Sequence, residues 1–189
     1  MHLSKSLAAA ALLLASAATP AATISILPAS NDINVGDNLD LELRIDGLGD
    51  GTSPSLGAFD IEILFDDAVL GFDSAVYSDL LGTLNADAFP FTTPVPGGVS
   101  ISNASILDNA SLDALQPDAF TLATLTFTGL SAGSRSLSYG TVELYDAFGD
   151  PMTPTAQNTS FVTINAVPAP AAALLMLPLL AGLAARHRR

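Results

Sequence analysis

Apolar and polar residues alternate through much of the middle of this chain. The cleanest run is Leu39-Asp40-Leu41-Glu42-Leu43-Arg44-Ile45, which puts four aliphatic side chains on one side and three charges on the other. A period of two predicts a half-buried strand lying over a core. A second run follows between Leu56 and Phe72. Phe59, Ile61, Ile63 and Phe65 share one side, Asp60 and Glu62 fall between them, and Asp66-Asp67 separates this group from Ala68, Val69, Leu70 and Phe72. Short acidic side chains suit a tight turn, so this run predicts two strands and a corner. Phe59, Ile61, Ile63, Phe65, Leu125 and Phe127 are the expected core.

The rest of the pattern is shorter and less regular. Residues 23–27 read as a strand ending at Pro28, residues 31–38 as a polar connection, and residues 46–54 as a loop rich in Gly and Asp. A strand is expected over residues 75–77, a turn over 79–82, and a Pro-rich loop carrying Phe89 and Phe91 over 85–98. Alternation returns at residues 99–102, and residues 107–116 read as a loop or one helical turn closed by Pro117. Residues 120–128 are rich in Thr and aromatic side chains, which fit a pleated, half-buried surface and predict a central strand. Two short strands, 136–139 and 141–145, a turn over 146–150 and a last strand over 161–165 complete the set. Short strands parted by turn signals, with no sustained helical period and no repeat, predict an all-β antiparallel sandwich over residues 23–166.

Both ends depart from this pattern. Residues 1–22 hold Lys5, then an apolar stretch from Leu7 to Ala15, then small residues, the layout of a secretory signal peptide. Ala15-Ser16-Ala17 fits the cleavage site, with Ala21 or Ala22 as alternatives. Residues 167–189 begin with Val167-Pro168-Ala169-Pro170, continue through an apolar run over 171–185, and end in Arg186-His187-Arg188-Arg189. Fifteen helical residues span about 22 Å against a hydrocarbon core of about 30 Å, which is short for a permanent anchor. Arg186, Arg188 and Arg189 favour the cytoplasmic side, with the domain outside.

Charge narrows the function. All nineteen acidic residues lie between Asp32 and Asp150, while Arg44 and Arg135 are the only basic residues in the body, giving it a net charge of −17. Such a surface repels nucleic acid and attracts cations. Cysteine is absent, and the two histidines, His2 and His187, and the single Lys5 lie in the end segments. The body therefore lacks the parts for Ser-His-Asp or Cys-His catalysis, for the usual zinc sites and for a lysine Schiff base.

What remains is carboxylate chemistry or a hard cation. Asp60 and Glu62 share a strand face and are the candidate pair for a glycan hydrolase, although alternating acids are ordinary on a solvated face. Asp46 and Asp50, and Asp146 and Asp150, sit in loops with oxygen ligands suited to calcium, without the spacing of an EF-hand. Turn formation is the ordinary explanation of these aspartates. Asn103, Asn109 and Asn158 each begin a glycosylation sequon.

Two resemblances follow from these residues. The tail, with Val167-Pro168-Ala169-Pro170, a short apolar segment and an arginine-rich end, resembles a PEP-CTERM sorting signal of the Val-Pro-x-Pro-Ala type. The resemblance implies export from a Gram-negative bacterium, an inner-membrane precursor, and cleavage by an exosortase-type protease. The body over residues 24–164 resembles cohesin-like domains of the carbohydrate-binding-module type. The similar stretches are Val35-Gly36-Asp37, Gly57-Ala58-Phe59-Asp60, Phe65-Asp66-Asp67-Ala68-Val69-Leu70, residues 120–127 and the turn at 146–150. This second resemblance implies a jelly-roll sandwich of about nine strands that binds a protein partner, usually a dockerin. The expected function is a non-enzymatic binding module at the cell surface or in the extracellular matrix, with a protein or polysaccharide partner. The alternatives are a structural exopolysaccharide-matrix component without a discrete ligand and a carboxylate-dependent glycan hydrolase.

Overall fold

The computed structural model describes residues 22–167. Twelve strands and one helix make two packed sheets: β1 Thr23–Pro28, β2 Asp32–Asn34, β3 Asn38–Asp46, β4 Leu56–Leu64, β5 Leu70–Tyr77, β6 Ala88–Val95, β7 Gly98–Ser105, α1 Asn109–Leu115, β8 Ala119–Gly129, β9 Gly133–Asp146, β10 Pro151–Met152, β11 Ala156–Asn158 and β12 Ser160–Asn165. The five-stranded sheet runs β11-β1-β3-β8-β5, and the seven-stranded sheet runs β2-β12-β9-β4-β7-β6 with β10 on β9.

The alternation of Leu39 to Ile45 becomes β3, whose four aliphatic side chains are at most 1% exposed. β8 pairs with it in antiparallel register and adds Leu125 and Phe127, both fully buried. From the other sheet β4 supplies Phe59, Ile61 and Ile63. Each such side chain removed from water contributes about 1.5–3 kcal/mol, so these three strands hold much of the favourable free energy of the fold. The helix is fastened at both ends. Asp108 caps it by accepting from the Ser111 amide at 2.9 Å. Buried Gln116 closes it, accepting from the Leu56 amide at 2.7 Å and donating to the carbonyls of Leu56 and Leu80.

Several expectations are corrected. The described residues form twelve strands, not about nine, because the shortest, β2, β10 and β11, have only two or three residues, too few to show a period. The sandwich is not wholly antiparallel: β1 pairs in parallel with β11, and β12 with β2. Residues 31–38 contain β2, and residues 107–116 contain the two-turn helix α1. The two short strands over 136–145 are one strand, β9, with a bulge where the sequence breaks at Gly140. The Pro-rich stretch 85–98 is mostly β6, not a loop. Phe65 lies just past the end of β4 and is half-buried, resting edge-on against Phe127 with ring centroids 5.0 Å apart.

The Asp66-Asp67 corner forms as expected. The amides of Val69 and Leu70 both bond the Asp66 carbonyl, and the turn carries the chain from the seven-stranded to the five-stranded sheet. Arg135 locks the corner through an ion pair with Asp66 at 2.5 Å. Ala22, the last residue of the expected signal segment, is buried against the core, and its carbonyl accepts from the Thr155 amide. The rest of that segment, together with Pro168, Ala169, Pro170, Arg186, Arg188 and Arg189, lies outside the described residues, and Val167 is exposed. Among the described residues no helix is long and apolar enough to cross a membrane.

Candidate functional site

Because side chains on a strand alternate, each sheet has an inner face in the core and an outer face in water. On the seven-stranded sheet the register of β6, β7, β4 and β9 sets the outer face in rows. Phe91 stands beside Ser102, Ser102 beside Asp60, and Asp60 beside Glu143. One row away Phe89 stands beside Ala104, which leads through Ala58 to Tyr145. On the other side Thr93, Ser100 and Glu62 line up towards the bulge of β9. The result is a broad sheet surface with two exposed aromatic rings at the β6 margin and three carboxylates towards its centre. Phe91 is 66% exposed and Phe89 40%.

The carboxylates are held in place. Ser100 donates to Asp60 at 2.9 Å, the Thr141 amide donates to Glu62 at 3.2 Å, and the Tyr145 hydroxyl donates to Glu143 at 3.2 Å. The negative charge of Glu143 and its hydrogen bond keep the Tyr145 hydroxyl protonated above its ordinary range. Glu62 lies over the bulge at Gly140, where any side chain would collide with its carboxylate. Asp60, Glu62 and Glu143 line a shallow groove of about 240 Å³ with Val95, Ser100 and Thr141. Among the described residues no Lys or Arg neutralises them: Arg44 pairs with Asp46 at 3.1 Å and Arg135 with Asp66.

Asp60 and Glu62, the pair expected from sequence, thus come together with Glu143 and the β6 phenylalanines, which sequence reasoning left in a strand and a loop. The signal for β6 was present. Phe89, Phe91, Thr93 and Val95 keep a period of two, and Pro90 and Pro94 occupy the alternate positions, the pattern of an edge strand. The calcium candidates are placed differently. Asp46 is taken up by Arg44, Asp50 sits in the loop with a left-handed backbone (φ 47°), and Asp146 accepts from the amides of Phe148 and Asp150 to close its own turn. Among the described residues no group of three or more acidic or histidine side chains converges as a metal site requires. Of the sequon asparagines, Asn103 is buried, Asn109 donates to Asp113, and Asn158 is exposed.

In fold the chain is a cohesin-like β-sandwich. It is similar to the cohesin module of a family 33 glycoside hydrolase from Clostridium perfringens, with a TM-score of 0.61 at 16% identity over 79% of this chain and 100% of that one. It is similar to a type II cohesin domain from the cellulosome of Acetivibrio cellulolyticus, with a TM-score of 0.62 at 15% identity over 76% of this chain and 95% of that one. A third likeness is to the type I cohesin–dockerin complex Coh-OlpC–Doc435 of Clostridium thermocellum, with a TM-score of 0.62 at 11% identity over 79% of this chain and 97% of that one. No protein-family model matches the chain. No curated protein matches it in sequence.

Proposed function

We propose that this chain is an exported, non-enzymatic protein-binding module whose ligand face is the outer surface of β6, β7, β4 and β9. The observation that carries the reading is Phe91, an aromatic ring 66% exposed beside carboxylates that no cation on the domain neutralises. Exposed aromatic rings are over-represented among binding hot spots, and uncompensated charge of one sign selects a partner of the other. The partner is therefore a protein presenting basic and apolar side chains together. The cohesin-like fold supports this reading, since some similar structures, including the Clostridium thermocellum complex, contain a cohesin bound to a dockerin. A hydrolase is disfavoured by geometry. Asp60, Glu62 and Glu143 rise from one sheet surface in the same direction, whereas glycoside hydrolysis needs carboxyl groups on either side of the scissile bond.

The tail completes the reading. Val167-Pro168-Ala169-Pro170, the apolar run and Arg186, Arg188 and Arg189 make a sorting signal for an exosortase-type system in a Gram-negative bacterium, and the precursor waits in the inner membrane before release to the surface or matrix. Intact-mass analysis of the extracellular protein tests the tail, and a mature species still carrying residues 174–189 would overturn it. For the face, the immobilised mature protein and its Phe91→Ser and Asp60→Lys variants are exposed to the envelope fraction of the producing cells. A protein retained by the wild type and reduced at least ten-fold on both variants is expected. If nothing is retained, or the retained set is the same on all three, the matrix-component reading replaces this one.

A further inference from the structure

One contact joins the edge of the seven-stranded sheet to the other sheet. β6 is an edge strand with β7 on one side only. Ala88 bonds the 83–85 loop through both its amide and its carbonyl, so it faces away from β7. By alternation Pro90, Thr92 and Pro94 do the same, and the two prolines leave few donors on that side. Apart from the β7 ladder and Ala88, the hydrogen bonds that hold β6 among the described residues come from a single side chain. Tyr77, the last residue of β5 in the opposite sheet, crosses the open side of the sandwich. Its hydroxyl donates to the Phe91 carbonyl and shares a hydrogen bond with Thr92 Oγ1 at 2.8 Å. Its ring stacks on buried Phe59, with centroids 6.4 Å apart. The Phe91 carbonyl faces β7, so Tyr77 grips the backbone of the residue whose ring stands on the outer face. Burial lifts the hydroxyl above its ordinary value and outweighs the lowering by its hydrogen bonds with Thr92 and the Ser102 backbone, so it stays protonated, and so a donor, throughout the physiological range.

We infer that Tyr77 is a positioning residue for the binding face, a clamp from the five-stranded sheet that fixes the β6 backbone and with it the Phe91 ring. For its functional half this rests on the binding reading above; for its structural half it does not. The test uses the mature protein as isolated, its Tyr77→Phe variant and a Thr92→Val variant that removes the second bond from the other side. Amide exchange is followed in the free protein. Losing one hydrogen bond of ordinary net strength should speed exchange at Phe91, Thr93 and Ser102 by roughly five-fold. Amides in β3 and β8 should keep their rates. Capture of the Phe91-dependent partner should weaken in both variants. Unchanged exchange in β6 would overturn the clamp, and an equal rise in both sheets would reduce Tyr77 to a general stabiliser and overturn it too. If β6 loosens and Phe91→Ser abolishes capture while Tyr77→Phe leaves it intact, the positioning role fails. If β6 loosens and even Phe91→Ser leaves capture intact, the clamp stands and the choice of binding face falls.

Discussion

The two outer sheet faces come from the same period-two alternation, yet they treat their polar groups differently. On the five-stranded sheet Thr126 donates to Asp40 at 2.8 Å, Thr128 donates to Asp73 at 2.7 Å, and Arg44 answers Asp46. Hydroxyls of β8 bond carboxylates of β3 and β5, the guanidinium pairs within β3, and the exposed apolar groups, Leu27 and Val76, lie apart on β1 and β5. On the seven-stranded sheet Asp60 and Glu143 stand directly opposite each other with no cation, a pairing that costs stability. An ionised carboxyl accepts about four hydrogen bonds, and each of these has one prominent protein donor. Both faces keep acceptor capacity, but of the two the seven-stranded one sets like charges directly opposite each other with the Phe89 and Phe91 rings alongside.

The largest effect expected from testing this contrast separates two phenylalanines. Phe127 is fully buried beneath the five-stranded sheet, so Phe127→Ala should cost about 3–5 kcal/mol in urea unfolding. Phe91→Ala should cost less than about 0.5 kcal/mol, since its ring touches mostly water. If Phe91 proves as costly as Phe127, its ring belongs to the core and the face is not free to bind. In binding, Phe91→Ser and Asp60→Lys should each weaken capture by at least ten-fold, about 1.4 kcal/mol. Asp40→Lys on the opposite face should leave capture unchanged, and an equal loss there would erase the distinction between the faces.

A smaller effect is expected at the β9 bulge. Gly140→Ala places a methyl group against the Glu62 carboxylate, the movable end of a flexible side chain, so the chain should fold with a cost below about 1 kcal/mol. Glu62 must swing away, and the Thr141 amide loses its acceptor. The Thr141 amide resonance should shift while those of β3 stay fixed. An unmoved resonance would show that Glu62 is not docked on the bulge.

How much of this was legible beforehand differs between the faces. Leu39 to Ile45 alternate without a break, and Phe120 to Thr128 break only at Leu122-Ala123, where the register with β3 shifts, so the five-stranded sheet could be read from β3 and β8. The seven-stranded sheet was half hidden. Its centre, Phe59 to Ile63, was plain, but Pro90 and Pro94 masked β6, and Gly140 split β9 into two apparent strands. Proline and glycine stop a strand in isolation; here an edge tolerates the missing donors and a bulge uses the missing side chain. The parallel partners β2 and β11 left no local signal because three residues gain their structure from the neighbours they pair with. For the site, Asp60 and Glu62 were visible as an acidic pair. Glu143 and Phe91 joined them only through register, which brings together residues 31 and 83 positions away from Asp60 and is not a local property of the chain.

The smallest predicted effect falls where the two sheets are joined. The Arg135 guanidinium, helped by the Ala68 amide, holds the Asp66 carboxyl below its ordinary value of 3.8. A carboxyl depressed in the folded state stabilises that state at pH values above its unfolded value, and the contribution is lost as pH falls through the lower, folded value. The corner therefore weakens only in acid, from about pH 3.8 downward. Arg135→Met should raise the pH of the acid unfolding midpoint slightly. Asp66→Asn should do the same, and the double variant should go no further, because both remove one interaction. Asp108, depressed instead by its hydrogen bonds from Ser111 at the helix cap, titrates with the same sign but should not respond to Arg135→Met. The pair sits at the corner and on neither outer face, so partner capture at neutral pH should be the same in all three variants. An acid midpoint that does not move in Arg135→Met would show that the corner is held by its backbone bonds alone. A loss of capture would show that the binding face depends on how the two sheets are locked together.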